Sequence, residues 1–119
     1  MSSTPLIQFL ERFLNVTSNR QSVVINNMAN IDTPGYHTRD VDFRSELERA
    51  VGPEDQQVLA STVAHKVPGL LARPDGNDVS LDRESMLLAE TQMQFRLGVQ
   101  FIRGEFHRLL NAINEGKES

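Results

Sequence analysis

Apolar residues recur at alternating steps of four and three along the last third of the chain, for more than four heptads. This spacing puts them on one face of a helix, and its length is typical of a coiled coil. Ser80 is a good N-cap, and Asp82 and Glu84 follow where the helix dipole favours negative charge. With Gly116 as the stop, we predict a helical C-terminal arm over residues 80–116. Members of its apolar face include Leu88, Phe95, Ile102, Phe106 and Leu109.

The first thirty residues carry a similar pattern. Thr4 and Pro5 suit the N-cap and the first position of a helix. The apolar face that follows has heptad-like spacing, with a polar gap near Arg20. We therefore predict a helical N-terminal arm over residues 1–32, with about 40 Å of helix at 1.5 Å per residue. The members of its face are Leu6, Leu10, Phe13, Thr17, Val24, Met28 and Ile31.

A second apolar stripe runs beside the first on the C-terminal arm. It consists of Met86, Ala89, Met93, Leu97 and Phe101. Two stripes make an apolar face wider than one partner helix covers. The stripe is either the broad face of a small bundle or a surface that other chains cover. We favour other chains, because the rest of this sequence offers little to cover it.

Residues 33–79 separate the two arms and are rich in turn signals. Asp42–Val51 predicts a short helix capped by its first residue and ended by Gly52 and Pro53. Val63–Leu71 is compatible with a strand. A long irregular stretch in so small a chain is expected where a segment orders on a partner. We predict an all-α fold with this partly ordered middle, the three segments together forming one domain.

Composition excludes several classes of function. The chain has 119 residues, enough for one domain, and its net charge of −4 provides no basic stripe for nucleic acid. Cysteine is absent, which removes disulfides and thiolate chemistry. The N-terminus does not have the pattern of a cleavable secretory signal peptide. Nor does any stretch reach the roughly 20 apolar residues of a membrane helix.

No catalytic, cofactor-binding or metal-binding constellation is visible in the sequence. His37, His65 and His107 do not have metal-ligand spacing. The acidic run that starts at Asp75 hints at a calcium loop, but Val79 stands where that loop needs an oxygen ligand. We therefore expect no enzyme activity, no cofactor and no small-molecule substrate.

The end of the first arm has a readable local chemistry. Thr33 precedes a proline, so the helix must stop at or before it. Pro34 and Gly35 suit the central positions of a type II turn. Asn26 and Asn30 either serve this turn alone or form hydrogen bonds across subunits. On local chemistry alone, the segment is a well-made helix stop.

As a string, the same segment resembles the signature of the flagellar axial proteins of the rod and hook. Ala29-Asn30, two variable residues and then Thr33-Pro34-Gly35-Tyr36 follow that signature. The run Arg39–Phe43 resembles the sequence that follows this signature in a rod member of the family. The run Asp75–Glu84 resembles the segment that leads into the C-terminal helix of the same rod member. His37 departs from the family, which often has Lys or Arg there.

The resemblance implies both a fold and a role. In this family the terminal helices pair as an antiparallel coiled-coil hairpin, and the subunits build the proximal rod of the flagellar basal body. The implied partners are other rod proteins, the rod-base adaptor at the membrane ring, copies of the chain itself and the type III export apparatus. The implied location is the periplasmic rod, reached without a cleaved signal peptide.

The residues that we expect at interfaces belong to both arms and to the turn. Those on the C-terminal arm should pack on Leu10, Phe13 and Val24, and the turn should lead into a neighbouring subunit. The rival interpretation is a soluble helical adaptor or secretion chaperone that acts as a dimer. The complete set is Leu10, Phe13, Val24, Asn26, Asn30, Thr33, Pro34, Gly35, Tyr36, Leu88, Phe95, Ile102, Phe106 and Leu109.

Overall fold

Two long helices at the ends of the chain dominate the structure, a computed structural model that describes residues 5–50 and 63–118. Helix α1 spans Pro5–Ala29 and helix α3 spans Leu81–Glu118, a length of 38 residues. Helix α3 lies within about two residues of its predicted arm. Helix α1 ends three residues before the predicted end of its arm, whose residues 1–4 lie outside the described part of the chain. The molecule is elongated, measuring 71 × 29 × 17 Å.

Contacts between α1 and α3 follow opposite orders along the two helices. Asn27, near the end of α1, binds Glu84 in the first turn of α3. Arg20 lies 3.9 Å from Glu90. Farther along, α3 approaches the first half of α1 at Gly98, where a Cβ atom would lie 2.7 Å from a methyl group of Leu14. The absence of a side chain at Gly98 therefore allows the two helices to come this close.

A short helix and a two-stranded ribbon lie against α1. Strands β1 (Arg39–Val41) and β2 (Ala64–Lys66) pair antiparallel, with Asp40 opposite His65. Helix α2 (Phe43–Ala50) follows β1 directly. The sequence predicts α2 nearly to the residue and β2 as part of a longer strand, but it does not predict β1. The rest of the irregular middle falls partly outside the described residues.

Helix α2 is held on α1 by one aromatic contact and one buried carboxylate. The rings of Phe13 and Phe43 meet edge to face, with centroids 5.6 Å apart. Glu46 is 3% exposed and accepts a hydrogen bond from Arg12 at 2.8 Å. Arg49 also binds Glu46. Two cations thus compensate the burial of this carboxylate.

The core between the helices is thin and unusually polar. Val16 and Val24 are fully buried, but so are Thr17 and Thr91. Each threonine hydroxyl donates to a carbonyl of its own helix, at 2.7 and 3.0 Å, so neither is unsatisfied. Small and polar side chains therefore occupy much of the contact between the helices, and several large apolar side chains remain outside it.

Candidate functional site

The end of α1 is closed by its own side chains. The backbone and side-chain nitrogens of Asn30 both donate to the carbonyl of Asn26, at 3.2 and 2.8 Å. The hydroxyl of Thr33 donates to the side-chain oxygen of Asn30 at 3.0 Å. Tyr36 N–H donates to the carbonyl of Thr33 at 3.2 Å, and Gly35 has a φ of 72°. The last two features are those of the expected type II turn.

A second segment, residues 73–79, is distant from this turn in sequence but forms backbone hydrogen bonds with it. We call this segment the clip. The amide of Gly35 donates to the carbonyl of Asp75 at 2.9 Å. The amide of Asp78 donates to the carbonyl of Tyr36 at 3.2 Å. Because these bonds use backbone groups on both sides, the clip and the turn form a junction that fixes where the chain leaves α1.

Asn77 lies at the centre of the junction and is fully buried. Its amide nitrogen donates to the carbonyls of Asn30 and Thr33, at 2.9 and 2.8 Å. Its side-chain oxygen accepts a hydrogen bond from the amide of Val79 at 2.8 Å. Each of these carbonyls also accepts a backbone amide, that of Thr33 at 3.0 Å and that of Tyr36 at 3.2 Å, so Asn77 adds a second donor to both and ties the clip to the turn.

Asn27 connects the junction to both long helices. Its side chain pairs with the backbone of Arg39 in both directions, at 2.7 and 3.1 Å. The hydroxyl of Tyr36 donates to its oxygen at 3.1 Å, and its nitrogen donates to Glu84 at 2.6 Å. Asn26 in turn donates to the hydroxyl of Tyr36 at 3.1 Å. Both asparagines therefore have partners within the chain.

A chain of charges extends from this point across α3, β1 and α1. Glu84 has no exposed surface and also accepts a hydrogen bond from Arg83 at 2.7 Å. Arg83 reaches Asp40 at 3.2 Å, and Arg20 binds both oxygens of Asp40 at 2.9 and 3.1 Å. Burial raises the pKa of Asp40, but the hydrogen bonds and charge of Arg20, the amide of Val41 and the charge of Arg83 together outweigh it, so that the pKa lies below its usual value.

The apolar residues of α1 that we expect at interfaces lie on its packed side, whereas Asn26 is exposed. Leu10 and Val24 are buried, and Phe13 is half-buried between α2 and α3. Thr33, Pro34 and Gly35 are exposed at the tip of the junction.

On α3, the buried face is rotated by about one residue from the face that the heptad pattern predicts. Its buried positions include Glu84, Leu87 and Thr91. By contrast, Phe95 is 39% exposed and Phe106 is 49% exposed. The remaining expected members, Leu88, Ile102 and Leu109, are half-buried. The chain packs α3 through small and polar positions, which allow a close approach, and leaves large side chains free for contacts outside the chain.

The second stripe of α3 is exposed in the single chain. Met86, Met93, Leu97 and Phe101 are 65%, 63%, 46% and 64% exposed. Exposed apolar surface of this extent marks contact sites in soluble proteins. This observation favours the expectation that other chains cover the stripe.

Sequence reasoning missed several residues that organise the junction. Asn77 and Asn27 are fully buried. Arg20, which occupies the polar gap in the heptad pattern of α1, binds Asp40. For Asn27 a signal was present, because it lies three residues after Val24 on the same face of α1. A polar residue on a buried face needs partners, and this predicts a network without identifying its members.

Nothing in the described residues suggests metal chemistry or a membrane span. Residues 5–50 and 63–118 contain no group of three or more potential metal-ligating side chains. Among the helices described there, none combines the length and hydropathy needed to cross a membrane. His37 lies 3.4 Å from Asp78, whereas His65 and His107 are exposed.

Comparison with known proteins agrees with the structural description. A family model described as "Flagella basal body rod protein" matches residues 7–37, which cover most of α1 and the turn. The flagellar basal body rod protein FlgB of Salmonella typhimurium is 31% identical over 92% of this chain and 94% of its own length. FlgB of Escherichia coli K12 is 30% identical with the same coverage. FlgB of Borreliella burgdorferi is 29% identical over 90% of this chain and 93% of its own length. The chain therefore belongs to the FlgB family of flagellar basal body rod proteins.

Proposed function

We propose that the chain is a structural subunit of the proximal rod, where it assembles with other rod proteins into the drive shaft of the flagellum. The observation that carries the proposal is the similarity to rod proteins along 92% of the chain, which includes both arms and the clip. The elongated shape and exposed apolar side chains suit a subunit that is completed by its neighbours. The proposed role is therefore structural and not catalytic.

The two arms form an antiparallel coiled-coil hairpin in this proposal. Three contacts support it, because Asn27, Arg20 and Leu14 meet α3 in reverse order along the chain. Residues 1–32, 33–79 and 80–116 then act as one axial domain. The junction keeps the end of one arm and the start of the other in a fixed relation.

The partners that we propose are other rod proteins, the rod-base adaptor at the membrane ring and copies of the chain itself. The support is physical: Phe95 and Phe106 are large, exposed and on a helix face that continues the packed one. The exposed turn at Thr33–Gly35 offers a contact at the opposite end of the molecule.

Export through the flagellar type III apparatus, without a cleaved signal peptide, completes the proposal and places the chain in the periplasmic rod. A thin core with many polar members suits a chain that must be unfolded before export. Few apolar groups then have to be exposed to water to unfold it.

The proposal is tested by co-purification. An epitope-tagged copy should remain with purified hook–basal bodies, and deletion of the gene should remove the external flagellum. If the tag stays in the cytoplasm and flagella survive the deletion, the rod proposal is wrong and the soluble dimeric adaptor is favoured.

The interface assignment has its own test. Phe95→Asp and Ile102→Asp should each abolish motility, because each puts an unpaired charge in a contact that excludes water. Arg103→Asp, at an exposed neighbouring position, should leave motility near the wild-type level. Normal swimming by either of the first two variants would show that the residue is not part of an interface.

A further inference from the structure

Helix α3 has two faces that could pack on α1. The face predicted from the heptad pattern, which we call the heptad face, includes Leu88, Gln92, Phe95, Val99 and Ile102. The face that does pack, which we call the inner face, consists of Glu84, Leu87, Thr91, Gln94 and Gly98. The two faces lie about one residue, or roughly 100°, apart around the helix. The heptad face is the more apolar of the two, so apolar burial alone would favour its packing on α1.

One atom of the inner face is buried without a hydrogen-bond partner. This atom is the side-chain oxygen of Gln94, which has no partner among the described residues. A buried polar atom without a partner destabilises the arrangement that buries it. If α3 turned by one residue to bury the heptad face, each of its residues would take the place of the one before it. Gln94 would then take the place of Met93, which is 63% exposed, so another interaction must hold the inner face on α1.

The interaction that does so lies in the first turn of α3. Glu84 is fully buried and accepts hydrogen bonds from Asn27 of α1 at 2.6 Å and from Arg83 at 2.7 Å. Arg83 also binds Asp40 of β1 at 3.2 Å. A turn of one residue would move each Cα atom by about 3.5 Å, since these atoms lie about 2.3 Å from the helix axis. Ser85 would then replace Glu84 opposite Asn27, and the hydrogen bond of 2.6 Å would be lost.

A contact farther along α3 acts in the same direction. At Gly98 a Cβ atom would lie 2.7 Å from a methyl group of Leu14 in α1. The same turn would put Val99 in the place of Gly98, and its branched side chain does not fit in that space. The two helices would therefore have to move apart. The two arrangements are discrete, because packed contacts change between alternatives and do not deform continuously.

We propose that Glu84, through its bond to Asn27, is a positioning residue that determines which face of α3 packs on α1. With the carboxylate in place, the inner face packs and large side chains such as Phe95 stay partly exposed. Without it, α3 turns by about one residue and buries the heptad face. Buried polar groups can select one arrangement at a cost in stability, as a single asparagine does in coiled coils. The inference concerns the single chain and goes beyond the proposed function.

Cysteine labelling of the purified chain tests the proposal, because the chain has no cysteine of its own. The reporters are Gln92→Cys, Met93→Cys and Gln94→Cys, and the measurement is the rate at which each reacts with a maleimide. A turn of one residue would move position 92 from an exposed place to that of Thr91, which is fully buried. It would move position 94 to an exposed place, and position 93 would be exposed in both arrangements.

The variant that tests the carboxylate is Glu84→Leu, which has a side chain of similar volume. It should slow the labelling of Gln92→Cys by about tenfold or more and accelerate that of Gln94→Cys by a similar factor. The labelling of Met93→Cys should not change. These opposite changes at two positions two residues apart are specific to a rotation of the helix, because a general loss of structure would accelerate both.

Two control variants separate the hydrogen bond from other effects of the substitution. Glu84→Gln keeps a side-chain oxygen that can accept the hydrogen bond from Asn27, so it should retain the labelling rates of the parent. Glu90→Leu makes the same exchange of a carboxylate for an apolar group at a side chain that is 48% exposed. It should also leave the three rates unchanged.

The other outcomes overturn the proposal. If Glu84→Leu keeps the labelling rates of the parent, the inner face is selected without the carboxylate. If all three positions react rapidly and the helical circular dichroism is lost, Glu84 keeps the chain folded and does not choose between two faces. If Glu84→Gln changes the rates as Glu84→Leu does, the hydrogen bond to Asn27 is not what selects the face. None of these results depends on whether the tagged chain is retained in basal bodies, so the proposed function is tested separately.

Discussion

Replacing Gly98 with alanine should destabilise the isolated chain, whereas the same replacement at Gly104 should stabilise it. Both glycines lie within α3, so each change gains the helix propensity of alanine, about 1 kcal/mol. At Gly104 a Cβ atom meets nothing within 4 Å. At Gly98 it would lie 2.7 Å from Leu14 and 3.0 Å from Phe13. Optimal carbon contacts lie near 3.5–4.0 Å, so both side chains must move.

The size of the effect follows from these distances. Overpacking of this kind costs about 1–3 kcal/mol, part of which the gain in helix propensity offsets. We therefore expect Gly98→Ala to lower the free energy of unfolding by about 1 kcal/mol and Gly104→Ala to raise it by a similar amount. The difference between the two variants is the cost of overpacking alone, because the propensity gain is common to both.

Urea unfolding followed by helical circular dichroism measures both values on purified protein. The two variants should unfold with the same dependence on urea and with midpoints on opposite sides of the parent's. If Gly98→Ala stabilises the chain as much as Gly104→Ala does, α1 and α3 do not approach each other as closely as described. That result would refute the reasoning from Gly98.

Three further outcomes are expected of the same unfolding measurement. Glu84→Ala should lower the free energy of unfolding by about 3–5 kcal/mol, because it leaves buried polar partners unpaired. Glu90→Ala, at a side chain that is 48% exposed, should change it by about 1 kcal/mol or less. Asn77→Ala should lower the free energy of unfolding by about 2–3 kcal/mol, because the buried amide of Val79 loses its acceptor and the carbonyls of Asn30 and Thr33 each lose one of two donors. Stability should fall as the pH drops below about 4. Burial raises the pKa of Asp40, but Arg20, the Val41 amide and Arg83 together lower it by more, so its folded-state pKa lies below the ordinary value. The carboxylate therefore stabilises the fold above its ordinary pKa, and this contribution is lost when Asp40 is protonated in the folded chain. The last expectation would be contradicted if the free energy of unfolding did not change below about pH 4. It would also be contradicted if Arg20→Ala left its dependence on pH in this range unchanged.

The helices and the turn are predictable from the sequence because their signals are local. Ser80 caps α3, a proline follows Thr33, and glycine supplies the positive φ in the turn. These features depend on residues a few positions apart. The bounds of α3 therefore agree with the predicted arm to about two residues, and the end of α1 agrees with its arm to three.

The packing of α3 is less predictable, because heptad arithmetic assumes that large apolar residues face the partner. Here Gly98 and Thr91 face it, and Phe95 is 39% exposed. Glu84 was expected only to complement the helix dipole, yet it is fully buried with Asn27. Long-range partners of this kind have no local signal, and that is also why β1 was not predicted.

The ribbon has a consequence for how this fold can change in evolution. Helix α2 follows β1 and is held on α1, and the chain rejoins the ribbon at Ala64, which pairs with Val41. The number of residues between α2 and β2 can therefore vary without shifting α1 against α3 or moving the junction, since lengthening a closed loop adds little entropy cost. Alignments with relatives run to 129 positions while covering 92% of a chain of 119 residues, so those relatives carry residues that this chain lacks. We expect the additional residues of the relatives to lie between α2 and β2. There a rod subunit can acquire new surface while its axial helices keep their register.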